Sequence, residues 1–282
     1  MRLLRRDEGN TMSQTTQTGS GIAGATGIAS GLGDQGVKEV AAIIAVALLV
    51  VGGGELLLRL FGVPQYILPT PSAIASVFFS HEISTICEHY SYTLIELLAG
   101  YAIGASIGLV LAAVITQFPF VEKVITPYIL LLVTTPMLAL VPLLILNFGF
   151  GFTPRIIAVA LASGPMVMIN AATGFRRVDT MKIALARSCG ASTLQIFTKI
   201  RIPMAMPMVI VGLMIGAIFG MITAVGAEMS GGGFGLGSRL TTYSSTLRMP
   251  EFFACIVILA VTGITIYAFF FWLGKRLAGW ES

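Results

Sequence analysis

"AMPMVIVGLMIGAIFGMITAVGA" (residues 205–227) contains no charged side chain. A helix of that length, at about 1.5 Å per residue, matches the roughly 30 Å apolar thickness of a bilayer. The rest of the chain agrees with it. Of its 282 residues, 56% are hydrophobic and only 11% charged, and its mean hydropathy is +0.90. A water-soluble core of this size would need far more polar residues to coat it. The chain reads as all-α and polytopic in a membrane, so its net charge of +4 matters less than where the charges sit.

Outward from 205–227, apolar runs of spanning length predict six transmembrane helices, near 39–61, 91–116, 124–146, 154–174, 205–227 and 251–274. The first is the least regular, because Gly52 to Gly54, Glu55 and Arg59 fall in one half of it. Residues 1–36 ("TTQTGSGIAGATGIASGLG" at 15–33) lack apolar periodicity and predict a disordered cytoplasmic tail, with Met12 as an alternative start. Residues 37–282 then form the membrane domain. With both termini in the cytoplasm, thirteen of the seventeen Lys and Arg lie on the inner side, and only Arg59, Arg155, Arg239 and Arg248 lie outside. The positive-inside rule selects this orientation over its inverse, in a bacterial cytoplasmic membrane.

Six of those cations, Arg176, Arg177, Lys182, Arg187, Lys199 and Arg201, crowd into one predicted cytoplasmic loop at about 175–203. Within it, "ALARSCGASTLQIFTKIRIP" (184–203) reads as two short helices. Asp179 is placed to cap the first and Ser192 the second, which should end at Pro203. Cys189 and Gly190 separate them, and Gly190 suits a turn of positive φ. Leu194, Phe197 and Arg201 share a face, with Ile196 and Ile200 beside them. An exposed apolar face on such a loop suits docking onto a partner. The same basic, amphipathic pattern also suits a hairpin lying on lipid headgroups.

The loop resembles that of binding-protein-dependent ABC importer permeases, whose pattern is Glu-Ala-Ala, three residues, Gly, then about nine residues to an apolar-Pro pair. Here the positions are Ala184, Leu185 and Ala186, then Gly190, then Ile202-Pro203. The family's Glu is replaced by Ala184 and its first Ala by Leu185, so no salt bridge from that Glu is implied. The glycine hinge is kept. "YILPTPSAIASVF" (66–78), "TPMLALVPLLILNFGFG" (135–151) and "GAEMSGGGFGLGSRL" (226–240) are similar to the nitrate, sulfonate and taurine branch of the family. The resemblance implies the type I importer permease fold. It also implies a second permease subunit, expected to be identical, two cytoplasmic ATP-binding-cassette ATPases and an external solute-binding protein. The coupling loop would then use Ala184, Leu185, Ala186, Gly190, Ala191, Ser192, Leu194, Phe197 and Pro203.

No Gly-x-x-x-x-Gly-Lys-Ser/Thr cradle occurs, so ATP and magnesium are expected on the partner ATPase and no cofactor on this chain. "GGGFGLGS" (231–238) reads as a flexible loop rather than a nucleotide site. Gly100, Gly104 and Gly108, and likewise Gly212, Gly216 and Gly220, repeat every four residues. Each row lets another helix approach closely, with packing inside one subunit favoured over a dimer seam. Glu55, Arg59 and Glu96 are expected to pair, since ionised groups near lipid are costly, with Arg59 also within reach of Glu96. Glu228 lacks a local partner and is the candidate for the translocation pathway, together with Pro136. Pro136 and Pro142 are expected to interrupt the third span and Pro165 the fourth. His81 and His89 read as ordinary surface histidines, and Cys87, Cys189 and Cys255 as unpaired thiols, with no metal spacing.

The resemblance therefore implies a permease subunit rather than an enzyme, carrying a small solute such as nitrate, a sulfonate, taurine or a related small metabolite. Its surroundings would be lipid and protein, without nucleic acid. The alternative is an ion- or proton-coupled secondary transporter, which would need carboxylates near the midplane and an internal repeat; the chain shows neither. An intramembrane enzyme finds no His-Glu-x-x-His or Gly-x-Ser-x-Gly motif to support it.

Overall fold

The computed structural model describes residues 37–277, so the expected tail at 1–36 lies outside the described residues. They form helices α1 (Val37–Leu60), α2 (Pro71–Val77), α3 (Glu82–Gln117), α4 (Pro119–Thr134), α5 (Met137–Phe148) and α6 (Phe152–Arg176). After these come α7 (Thr180–Ser188), α8 (Thr193–Ile196), α9 (Ile202–Gly231), α10 (Leu236–Ser245) and α11 (Met249–Leu277), with no strand among the described residues. The chain divides at Gly62 into two units. In the first, α1 is 24 residues long and overlaps the first expected span. It is not among the described helices long and apolar enough to cross a membrane, which number four, or five with the bent pair counted as one span, against the six expected. Its Glu55 and Arg59 pair as i, i+4 neighbours.

In the second unit, α3, α6, the continuous run Thr193–Gly231 and α11 are each long and apolar enough to cross a membrane. The third expected span is instead two helices, α4 and α5, bent by 96° at Thr135-Pro136. Hydroxyls finish the broken end of α4. Thr134 Oγ1 donates to Leu130 O at 2.9 Å, and Thr135 Oγ1 to Leu131 O at 2.7 Å. Pro142 and Pro165, also expected to interrupt their spans, sit inside the unbroken helices α5 and α6. A proline removes one hydrogen bond, which neighbours within a membrane can compensate.

The centre of this unit is α6, packed between α3 and α9. Both glycine rows face it. A Cβ on Gly104 would lie 2.5 Å from Ala160 O, and one on Gly100 would lie 2.6 Å from Val159 Cβ. From the other side, a Cβ on Gly212 would meet Asn170 Cβ at 2.7 Å, and one on Gly216 would meet Val167 Cγ2 at 2.7 Å. The rows thus serve packing within the subunit, as expected. Helix α6 answers with small residues of its own, Ala158, Ala162, Ser163 and Gly164, all buried. Close backbone approach, rather than large side chains, gives these helices their van der Waals contact.

Helix α3 starts at Glu82, nine residues before the predicted span at 91. The added turns are amphipathic and bury Ile86 and His89, with Ile86 in a cluster that includes Leu236, Tyr243 and Cys255. Arg248 ties this end together, reaching Glu82 at 2.9 Å and Glu251 at 2.7 Å. At the opposite end of the bundle, α7 and α8 join α6 to α9.

Candidate functional site

The loop at 177–201 is built by its caps. Asp179 accepts from Met181 N at 2.8 Å and starts α7. Ser192 and Gln195 form a reciprocal capping box that starts α8. Between them Gly190 takes φ +79°, a conformation that suits glycine, and a Cβ there would touch nothing within 4 Å. The second helix does not end at Pro203. A π turn over Phe197–Arg201 carries it straight into α9, with Pro203 in the first turn. Proline lacks an N–H, and its ring opposes the carbonyl four residues back. A widened turn just before it gives that ring room.

The loop's apolar residues separate into two groups. Met181, Leu185 and Leu194 are exposed at 77%, 67% and 71%. Ala184, Gly190, Ser192 and Pro203 are exposed with them, and Ala186 and Ala191 are half-buried. Phe197, which the sequence placed on one face with Leu194, instead turns inward onto Phe175, with ring centroids 5.2 Å apart. Ile196 is buried too. Met181 extends the outward patch one turn back from Leu185, a position that i, i+4 spacing alone would have revealed. Arg201 is half-buried, and its Nε and Nη1 have no partner among the described residues.

At the other end of α6 and α9, the segment 231–235 is pinned rather than flexible. Arg155, 2% exposed, donates from Nη1 to Glu96 Oε1 at 2.9 Å and to Phe234 O at 3.0 Å. Its Nη2 reaches Gly232 O at 2.5 Å, and its guanidinium lies 4.2 Å over the Phe234 ring. Gly235 N donates to His89 Nδ1 at 3.0 Å, Leu236 N to Thr93 Oγ1 at 2.9 Å, and Gly237 N to Glu228 Oε2 at 2.6 Å. Gly232, Gly233 and Gly235 all have positive φ. A Cβ on Gly235 would collide with the Glu228 carboxylate.

Several sequence expectations change here. The buried partner of Glu96 is Arg155, and His89 is 6% exposed rather than a surface residue. Glu228 is wholly enclosed by the chain's own residues. Pro136 lines a cavity of about 260 Å³ at the α4–α5 bend, with Thr135, Leu138, Pro165 and Thr223 among its other walls. Glu228 is not among those walls, so the two pathway candidates are not brought together. Cys87, Cys189 and Cys255 are free thiols.

Residues 104–279 match the family described as binding-protein-dependent transport system inner membrane component. The taurine transport system permease protein TauC of Escherichia coli is 30% identical over 205 residues, 71% of this chain and 72% of that protein. The riboflavin transport system permease protein RibX of Chloroflexus aurantiacus is 28% identical over 224 residues, 79% of this chain and 84% of that one. Among solved structures, a chain of an amino acid ABC transporter crystallised with histidines superimposes with a TM-score of 0.58 at 21% identity. The superposition covers 68% of this chain and 94% of that chain, which supports a common fold.

Proposed function

Because the chain belongs to the family of binding-protein-dependent transport system inner membrane components, a multi-pass permease subunit of an ABC importer, we propose that it works as a homodimer coupled through residues 180–203 to two cytoplasmic ATPases. A solute-binding protein delivers the solute on the other face. Magnesium and ATP bind the ATPases, and this chain contributes the pathway and the coupling surface. The observation that carries the reading is the outward apolar patch of Met181, Leu185 and Leu194, set around the Gly190 turn. An apolar patch this exposed on a capped, well-formed element suits a partner's groove. The solute is a small organic acid or sulfonate; the taurine-transporting relative supports that class. The α4–α5 cavity, with Pro136 in its wall, is its route.

Gly190→Val tests the coupling surface. A β-branched residue at φ +79° is strained by about 1–3 kcal/mol, yet its Cβ meets nothing within 4 Å among the described residues. The variant should therefore insert and fold normally but lose most of its ATPase association in detergent pull-downs. Arg187→Gln with Lys199→Gln should lose less. Full association of the Gly190→Val protein, with loss only in the charge pair, assigns the loop to lipid headgroups instead.

Orientation has its own test. Ser84→Cys and Thr180→Cys, each in a background lacking Cys87, Cys189 and Cys255, should react with an impermeant thiol reagent from opposite sides of sealed vesicles. The 180 position should label only from the cytoplasmic side. Same-side labelling would overturn the topology and, with it, the coupling role.

A further inference from the structure

The cluster under the glycine-rich loop does not balance in charge. Glu96 and Glu228 are both fully buried, and Arg155 is the guanidinium set against them. Glu96 Oε1 accepts from Arg155, and Glu228 Oε2 accepts from Gly237 N. The remaining oxygens, Glu96 Oε2 and Glu228 Oε1, are buried without a hydrogen-bond partner; the Thr93 hydroxyl lies beside Glu228 but gives its proton to His89 O at 3.3 Å. The two carboxyl groups nevertheless lie within interaction range of each other. Of the other charged or titratable groups nearby, His89 on α3 is spent on Gly235 N and on Arg239 of α10. Neither reaches the two orphan oxygens.

Ionised carboxylates only accept hydrogen bonds, so two facing each other in a dry site repel and leave both oxygens unsatisfied. A single proton removes the imbalance. It turns one carboxyl into a donor to the other, and the cluster then holds one anion against one guanidinium. A metal ion fits poorly by comparison. Calcium takes about six to eight oxygens and magnesium needs a near-octahedral shell, whereas two oxygens are free here. The backbone at Gly235 and Gly237 packs against the Glu228 side chain too closely even for a Cβ. A proton needs no such space.

We propose that Glu96 and Glu228 form a proton-binding site, one proton being shared between Glu96 Oε2 and Glu228 Oε1, and that this proton keeps the 231–237 loop seated on the cluster. The loop hangs from the same groups. Arg155 holds the carbonyls of Gly232 and Phe234, and Glu228 holds the amide of Gly237. Removing the proton leaves two anions on one guanidinium, and the arginine is drawn away from the loop carbonyls toward them. The site does not depend on which solute the permease carries.

Infrared difference spectroscopy of the purified full-length chain in lipid nanodiscs reads the proton directly. The wild type should show the C=O stretch of a protonated carboxyl group, shifted down in D2O. The band should vanish in Glu228→Gln and in Glu96→Gln and survive in His89→Gln. The amide of Glu228→Gln mimics the protonated acid, so that variant should stay monodisperse with an unchanged melting midpoint. Amide exchange over 231–237 supplies the second readout, after correction for its intrinsic pH dependence. In the wild type it should rise with pH from the ordinary carboxylate range up to the pH at which the seated site gives up its proton, by at most about tenfold per pH unit, and level off beyond it, the linkage expected for release of one proton. Glu228→Gln should lack that slope. No carboxyl band, a band that survives either Gln variant, or an equal slope in Glu228→Gln would each overturn the site. So would a slope lost only in His89→Gln, or loop seating that follows sodium concentration instead of pH.

Discussion

Arg155→Met should yield almost no folded protein. Methionine fills much of the same volume but removes the donor to Glu96, the donors to Gly232 O and Phe234 O, and the charge that both buried carboxyl groups depend on. Breaking a buried pair by deleting one partner costs about 3–5 kcal/mol, because the other charge stays buried and uncompensated. Freeing two loop carbonyls adds to that loss. Size-exclusion profiles and thermal melts of detergent-purified protein measure the effect. Adding Glu96→Gln to Arg155→Met should restore part of the yield by removing the stranded charge. A single Arg155→Met variant within about 1 kcal/mol of wild type, the worth of an exposed pair, would mean that the cluster is solvated and contributes little.

The second large effect is expected at Gly104. A valine there places its Cβ 2.5 Å from Ala160 O and 2.9 Å from Ala160 Cα. Both are backbone atoms of the central helix, so no rotamer change relieves the clash and α3 must move off α6. Overpacking commonly costs about 1–3 kcal/mol, and more where backbone is involved. Gly104→Val should therefore exceed the upper end of that range and lower the melting midpoint sharply. Gly274→Ala is the control for adding a Cβ where there is room. Its Cβ would meet Ile210 Cγ2 at an ordinary 3.7 Å, so the variant should match wild type. Equal stability of the two variants would place the Gly100–Gly108 row away from α6.

Features encoded by local rules were readable in the sequence. The spans at α3, α6, α9 and α11 follow from composition, the α7 and α8 starts from Asp179 and Ser192, and the Gly190 turn from its neighbours' capping pattern. The glycine rows announced close packing because a four-residue repeat fixes a helix face. Features that depend on which helices become neighbours were not readable. Pro136, Pro142 and Pro165 look alike along the chain. Only Pro136 breaks its span, and the local pattern does not distinguish it. Arg155 counted only as an outer-side cation because its partner is 59 residues away. His89 sat in a predicted loop, and only α10 packing on α3 buries it. Phe197 pointed outward by spacing and inward once Phe175 was beside it.

The π turn at Phe197–Arg201 has a mechanical consequence. It makes Thr193–Gly231 one uninterrupted rod of 39 residues, roughly 58 Å at 1.5 Å per residue. The capping box of Ser192 lies at one tip, and Glu228 lies within a turn of the other. A push on α8 therefore acts as on a lever rather than on a hinge, and the carboxylate seating the far loop travels with it. The widened turn lies between the tip and the spanning part of the rod, so its stiffness would set how much of a stroke at one surface arrives at the other. Stiffening it transmits more of the stroke, and loosening it dissipates the motion before it reaches Glu228.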